Sequence, residues 1–341
     1  MRDPAGSSTE GSDRSAVDRC GDEGAQMPRR PTDRTTPPIV VLPTVHLARD
    51  NPPEVVRRRN VSGAWERIAR GIYLPAEDGP TQDRPRTIAL GRIQGIHARL
   101  RSPHWFSHES AALLWGLPLW VAPTHTHLMQ GQTAGSSRDP SVRHHPVTPA
   151  PDQLTVVGGL PATSLERTVV DCASTLPAMQ GLVVADAALR AGADRRVIDD
   201  LLRSRAGQRG VTRARAVLAI ADEGAESPGE SAARFVVVRD GLPSPQTQVP
   251  VATRLGTFWC DLGWEAWRLA LEYDGRGKYE GRVTEEFIRE KRRHDALVDA
   301  DWRVLRATKE DLRGTTLLHR ILPLVPAGSS TRLRPLRSLR G

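Results

Sequence analysis

The stretch TFWCDLGWEAWRLALEYDG, residues 257–275, holds two apolar, strand-like runs separated by Ala266-Trp267 and reads as a hairpin. Any register that pairs Trp264 with Leu269 also pairs Asp261 with Glu272, because both pairs sum to the same number. Directly opposed residues share a face with Cβ atoms about 4.5–5.5 Å apart, and Asp274 joins that face by the period of two. Three carboxylates would then converge. Like charges so placed repel, so such a cluster either raises a pKa or holds a cation. A hard divalent ion, Mg²⁺ or Mn²⁺, takes an oxygen-only shell of this kind. The alternative is that the acids flank an edge strand and pair with nearby arginines.

Working outward, Ser227-Pro228-Gly229-Glu230 has an N-cap serine, a proline at the first helical position and an acid in the first turn, which predicts a helix to Arg239 or Asp240 that stops at Gly241. QTQVPVA is a further strand. After the hairpin, TEEFIREKRRHDALVDA predicts a helix, WRVLRAT a strand, and Thr308-Lys309-Glu310-Asp311 a capping-box-like start to a last helix. Of 48 basic residues only three, Lys278, Lys291 and Lys309, are lysines, and all three lie near this hairpin. In a chain so biased to arginine, a lysine marks a place where a compact, titratable ammonium matters. Gly275 and Gly277 would let the chain turn and return Lys278 to the strand end, where it could stabilise charge at a phosphorus centre. Lys291 could act from the following helix, and Lys309 is read as structural.

The chain has 341 residues, 38% of them hydrophobic and 26% charged, with a formal net charge of +8. That length allows two or three domains, and the charge favours an anionic partner such as DNA. No apolar run approaches the roughly 18 residues that span a membrane, and no apolar leader is seen, so a cytoplasmic location is expected. Three scattered cysteines fit no disulfide framework. Residues 1–38 are read as disordered, 39–82 as a winged-helix-like DNA-binding segment in which ERIA is the end of a basic helix and GIYLP a wing, and 83–193 as a mixed α/β domain. A basic helical connector (194–226), the α/β core (227–326) and a basic tail (327–341) follow. The fold class expected is therefore a multidomain α/β and α+β protein. His125 and His127 alternate along one strand face with His144-His145 nearby, but no acid or cysteine stands beside them at ligand spacing; Ser107-His108-Glu109 reads as a helix start. Trp264, Trp267 and Trp302 are expected in the core.

An acid on a helix, an Asp ending one strand and Glu-x-(Asp or Lys) on the next resemble the PD-(D/E)XK nuclease core. The fuller string SPGESAARF, GLPSPQTQVPV, CDLGW, LEYDGRGKY, REKRRHDAL, DWRVLRAT is similar to its branch of very-short-patch repair endonucleases. Upstream, ARGIYLP, SHESAALLWGLP and TSLERTVVDCA resemble AbiEi-type antitoxins of abortive-infection toxin–antitoxin systems, and the combined resemblance covers about residues 60–313. It implies a restriction-endonuclease-like core with Asp261, Glu272 and Glu230 as metal ligands for Mg²⁺ or Mn²⁺, and DNA as substrate, in repair or phage defence. Asp274 stands where that motif has its lysine, so Lys278 or Lys291 would have to supply the cation. The other function implied is a non-catalytic DNA-binding antitoxin or transcriptional regulator with a cognate toxin as partner.

Overall fold

The computed structural model describes residues 39–76, 83–131, 139–275, 283–327 and 333–339. It is a mixed α/β structure with three sheets, as expected of a multidomain α/β and α+β chain. No helix among the described residues is long and apolar enough to cross a membrane.

The first sheet pairs β1 (His46–Leu47) with a hairpin, and α1 (Pro53–Val61) lies between them in sequence. Pro53 opens α1, since a proline at the first helical position gives up only an N–H that has no intrahelical partner. The hairpin is β2 (Trp65–Ala69) and β3 (Ile72–Pro75), joined at Arg70-Gly71. Residues 65–69 are thus a strand and not the helix end expected from ERIA. Pairing with the β-branched and aromatic run after Gly71 overrides their helical propensity. The long helix α2 (Arg84–Arg99) lays Ala89, Leu90, Ile93 and Ile96 on this hairpin.

The second sheet has β4 (Trp105–Phe106) at its centre, followed in the chain by α3 (His108–Leu114), β5 (Thr126–Met129), β6 (Val142–His145), β7 (Leu154–Val157) and β8 (Leu160–Thr163). Its order is β6-β5-β4-β8-β7, with β5 and β6 parallel. Then come α4 (Leu165–Thr175), α5 (Ala178–Arg190), α6 (Arg195–Ser204), α7 (Val211–Ala219) and α8 (Pro228–Arg239). The α4 helix starts at Ser164, whose Oγ accepts the Arg167 N–H at 3.2 Å. The arginine-rich residues 195–219 form α6 and α7 joined by a turn, and their apolar side (Ile198, Leu201, Leu202, Val211, Val217, Leu218) is buried in the core.

Helix α8 is capped by Ser227, whose Oγ accepts the Glu230 N–H at 3.2 Å, and it ends before Gly241 at φ 97°. The third sheet follows: β9 (Gln246–Thr253), β10 (Gly256–Trp264), β11 (Leu269–Tyr273), then α9 (Val283–Asp299), β12 (Arg303–Ala307) and α10 (Thr316–Ile321). Its order is β12-β11-β10-β9, antiparallel except for β11 and β12, which the α9 crossover makes parallel. Leu262, Trp264, Trp267, Leu269 and Leu271 pack with α5, α7 and α8 in one core, whereas Val249, Val251, Ala270 and Trp302 meet Leu297 of α9 on the other face. All three tryptophans expected in the core are buried. Thr308 N–H does bond the Asp311 carboxylate at 2.8 Å, but the chain runs on in turns and the helix begins only at Thr316, past Gly314.

The α5–α8 contact contains an ion pair that shows in no local pattern. Arg234 Nη2 meets Asp186 Oδ2 at 2.6 Å, with both side chains almost fully buried. Arg234 also donates to the Ile220 carbonyl, and Asp186 accepts the Asp222 N–H at 2.8 Å.

Candidate functional site

The β10–β11 hairpin has the expected register: Trp264 opposes Leu269 and Leu262 opposes Leu271. One step further, past the last paired residues, lie Asp261 within β10 and Glu272, next to last in β11. Their side chains nevertheless take different partners. Asp261 Oδ2 accepts the Tyr273 N–H at 2.9 Å, a bond across the hairpin made by a side chain. Glu272 is drawn toward α9, where Arg293 Nη2 lies 2.6 Å from its Oε1. Burial pushes the Cys260 thiol up to about 12, with Glu272 and more weakly Asp261 adding to the rise, so both acids act on the same neighbour.

Glu230 comes to this hairpin from the first turn of α8. Gly229 permits the approach, since a Cβ there would run into the Tyr273 ring. The Glu230 carboxyl is buried and pushed up to about 7, first by desolvation and then by Asp261. Its Oε2 accepts the Glu226 N–H at 2.7 Å, and Gln248 Nε2 lies 3.5 Å away. Gln248 also lines an open groove of about 1190 Å³ whose wall carries Arg190, Arg195 and Arg196 together with Asp194, Asp222 and Glu223.

Desolvation first, and Asp261 second, hold a proton on Glu230 near neutrality; among the described residues the three acids do not bring their ligand atoms within 4.8 Å of one another, so a divalent cation would have to displace that proton and draw the acids together. Glu272 fits it only if Arg293 lets go. Against the pull of burial, Glu272 holds the Arg293 guanidinium more firmly protonated, and Arg293 also donates to the Trp259 carbonyl at 2.9 Å. Asp274 follows the strand end, its N–H bonded to the Ala307 carbonyl at 2.8 Å. Lys291 is exposed on α9, and Lys278 lies outside the described residues. Lys309 rests over the Trp120 ring, 6.0 Å from its centroid. No local sequence pattern marks Arg293 or Arg234 among the 45 arginines.

Residues 108–220 match the AbiEi antitoxin C-terminal domain, which spans α3 through α7. Over 260 residues the chain is 34% identical to the uncharacterized proteins MT2308 and Rv2248 from two strains of Mycobacterium tuberculosis, covering 74% of this chain and 88% of each relative. The chain belongs to the family of these two proteins. The crystal structure of the RV2827C protein from Mycobacterium tuberculosis is a distant likeness, with 18% identity and a TM-score of 0.34 over 56% of this chain and 75% of that one.

Proposed function

We propose that this protein is a DNA-binding antitoxin-type regulator with a cognate toxin as partner. The observation behind this reading is the antitoxin-domain match at residues 108–220. Ahead of that domain, α1 presents Arg57, Arg58 and Arg59 to solvent and leads into a small three-stranded sheet, an arrangement suited to phosphate contacts from a helix and a wing. Phosphate contacts by arginine release counterions, so affinity for duplex DNA falls with salt at a log–log slope of about −0.9 per contact. The expected result is salt-dependent binding by the full chain, with the slope reduced by about 2–3 when Arg57, Arg58 and Arg59 are all changed to alanine. An unchanged slope would remove α1 from the interface.

A second reading has a specific observation in its favour: the raised carboxyl of the buried Glu230 beside Asp261. It is a Mg²⁺- or Mn²⁺-dependent DNA endonuclease acting in DNA repair or phage defence. Glu230 and Asp261 would hold the ion, with Glu272 as a third ligand after release by Arg293. Such an ion neutralises developing charge at the scissile phosphate and positions water. Lys291, exposed on α9, and Lys278 would be the cations available to replace the lysine that Asp274 displaces. Plasmid cleavage that is lost in Asp261→Ala and Glu272→Ala would establish this reading, and equal cleavage by all three proteins would remove the site assignment.

A further inference from the structure

Three histidines meet on the second sheet, and they are not the set that strand alternation suggests. In the parallel β5–β6 pair His127 lies beside Arg143 and Met129 beside His145, so His127 and His145 share a face two residues out of step. His125 instead contacts Thr124, and His144 contacts Gln130 Oε1 at 3.1 Å. The third member is His108, the first residue of α3. That helix is anchored over β5 by Ser110, whose Oγ accepts the His127 N–H at 2.9 Å. The ring centroids of His108 and His145 are 4.0 Å apart, and those of His127 lie 5.1 and 5.3 Å from them. One ring nitrogen from each falls within 4.8 Å of the other two.

We propose that His108, His127 and His145 form a binding site for one zinc-class transition-metal ion, with the Glu109 carboxylate orienting His127 or completing the shell. Imidazole nitrogens suit Zn²⁺ and its neighbours in the first transition row, and three histidines are an established zinc ligand number.

The protonation states agree with this. Burial lowers His127 and His145 to about 4, helped by Arg143 and by the other histidines, and carries His108 well below the usual range. All three rings are neutral at pH 7, the ligating form. Ser107 Oγ sits 2.9 Å from His108 Nδ1, which leaves Nε2 for the cluster. Glu109 is mostly buried, its carboxyl raised by desolvation, and its Oε2 lies 3.7 Å from His127 Nε2 without a hydrogen bond of its own. His108 has φ 51°, a left-handed conformation that is uncommon outside glycine and that swings its ring over the strands. The charges around the cluster include the exposed Arg143 and the Arg167–Asp171–Arg205 group, in which both arginines engage the Asp171 carboxylate at 3.0 and 2.8 Å. Tetrahedral Zn–N bonds of about 2.0–2.1 Å put the nitrogens about 3.3 Å apart, so rotation of the stacked His108 and His145 rings closes the site. The ion would tie β6, an edge strand, and β5 to α3.

The test uses the untagged full chain, stripped with chelator and titrated with Zn²⁺, Co²⁺ or Mg²⁺. The expected result is one Zn²⁺ per chain, visible ligand-field bands with Co²⁺, a Tm rise of about 5–10 °C with excess Zn²⁺ and none with Mg²⁺. His127→Gln and His145→Gln should each weaken Zn²⁺ binding at least tenfold, and Glu109→Gln should retain binding with reduced affinity. His319→Gln, at an exposed histidine on α10, should bind Zn²⁺ as the wild type does. Should the histidine variants not fold, the Co²⁺ spectrum of the wild-type chain still reports nitrogen ligation. Folded wild-type chain that takes up no Zn²⁺, or takes it up equally in His127→Gln, would overturn the proposal.

Discussion

Two buried clusters of titratable side chains sit on different sheets and are built alike. In each, the first turn of a helix carries a side chain over the ends of two neighbouring strands: His108 over β5 and β6, Glu230 beside β10 and β11. They meet the cost of burial differently. The histidines stay neutral by giving up protons, whereas at the acids Glu230 keeps a proton and Glu272 takes Arg293 as counter-charge. The same architecture thus has opposite responses to pH, and that contrast is what experiments can break.

The largest expected effect falls on the pair that joins the two regions. Asp186→Ala strands Arg234 as a buried, uncompensated charge and should lower stability by about 3–5 kcal/mol in urea unfolding. Replacing both residues with apolar side chains of similar volume should recover most of that loss. Next is the acid response of the histidines. Their folded pKa lies below the unfolded value near 6.5, so as pH falls the unfolded chain takes protons that the folded chain refuses until about pH 4. In chelator-stripped protein, stability should therefore drop across pH 6.5 to 4, by up to about 3 kcal/mol for each of His127 and His145, and the drop should shrink in His127→Gln. Denaturant midpoints taken along that pH range measure it.

The acids respond the other way. Glu230 has a folded pKa raised from 4.5 to about 7, so its contribution is present below the unfolded value and is lost as pH rises through 7. Glu230→Gln should be more stable than wild type at pH 8 by about 2–3 kcal/mol and should lose that advantage near pH 4.5, as read from the same midpoints. If the advantage persists at low pH, desolvation of the Glu230 carboxylate and its repulsion by Asp261 are not the source. The smallest effect is steric. Gly229→Ala places a methyl group against the Tyr273 ring and should cost about 1–2 kcal/mol, with a displaced Tyr273 ring signal by NMR.

The two clusters were also unequally legible. Asp261 and Glu272 belong to a hairpin only a few residues long, so the register that sets them one step past the Leu262–Leu271 pair follows from arithmetic within one local stretch. The serine cap of α8 and its stop at Gly241 are equally local signals. The histidine trio depends on a parallel strand pair and on a helix upstream of both strands, neither of which leaves a local pattern. His108 was therefore read only as a helix start. The inward turn of Glu272 toward Arg293 was hidden for a related reason, because the partner lies beyond the strand, one helix later. Residues 65–69 misled in the other direction, since their composition suits a helix while pairing with β3 makes them a strand.

Mobility and topology of a supercoiled plasmid titrated with the full chain in Mg²⁺, at two salt concentrations, test the antitoxin-type reading most directly. Retarded plasmid that stays supercoiled, with retardation lost at the higher salt, is the predicted result. Nicked or linear plasmid formed by wild type and absent with Asp261→Ala would contradict it.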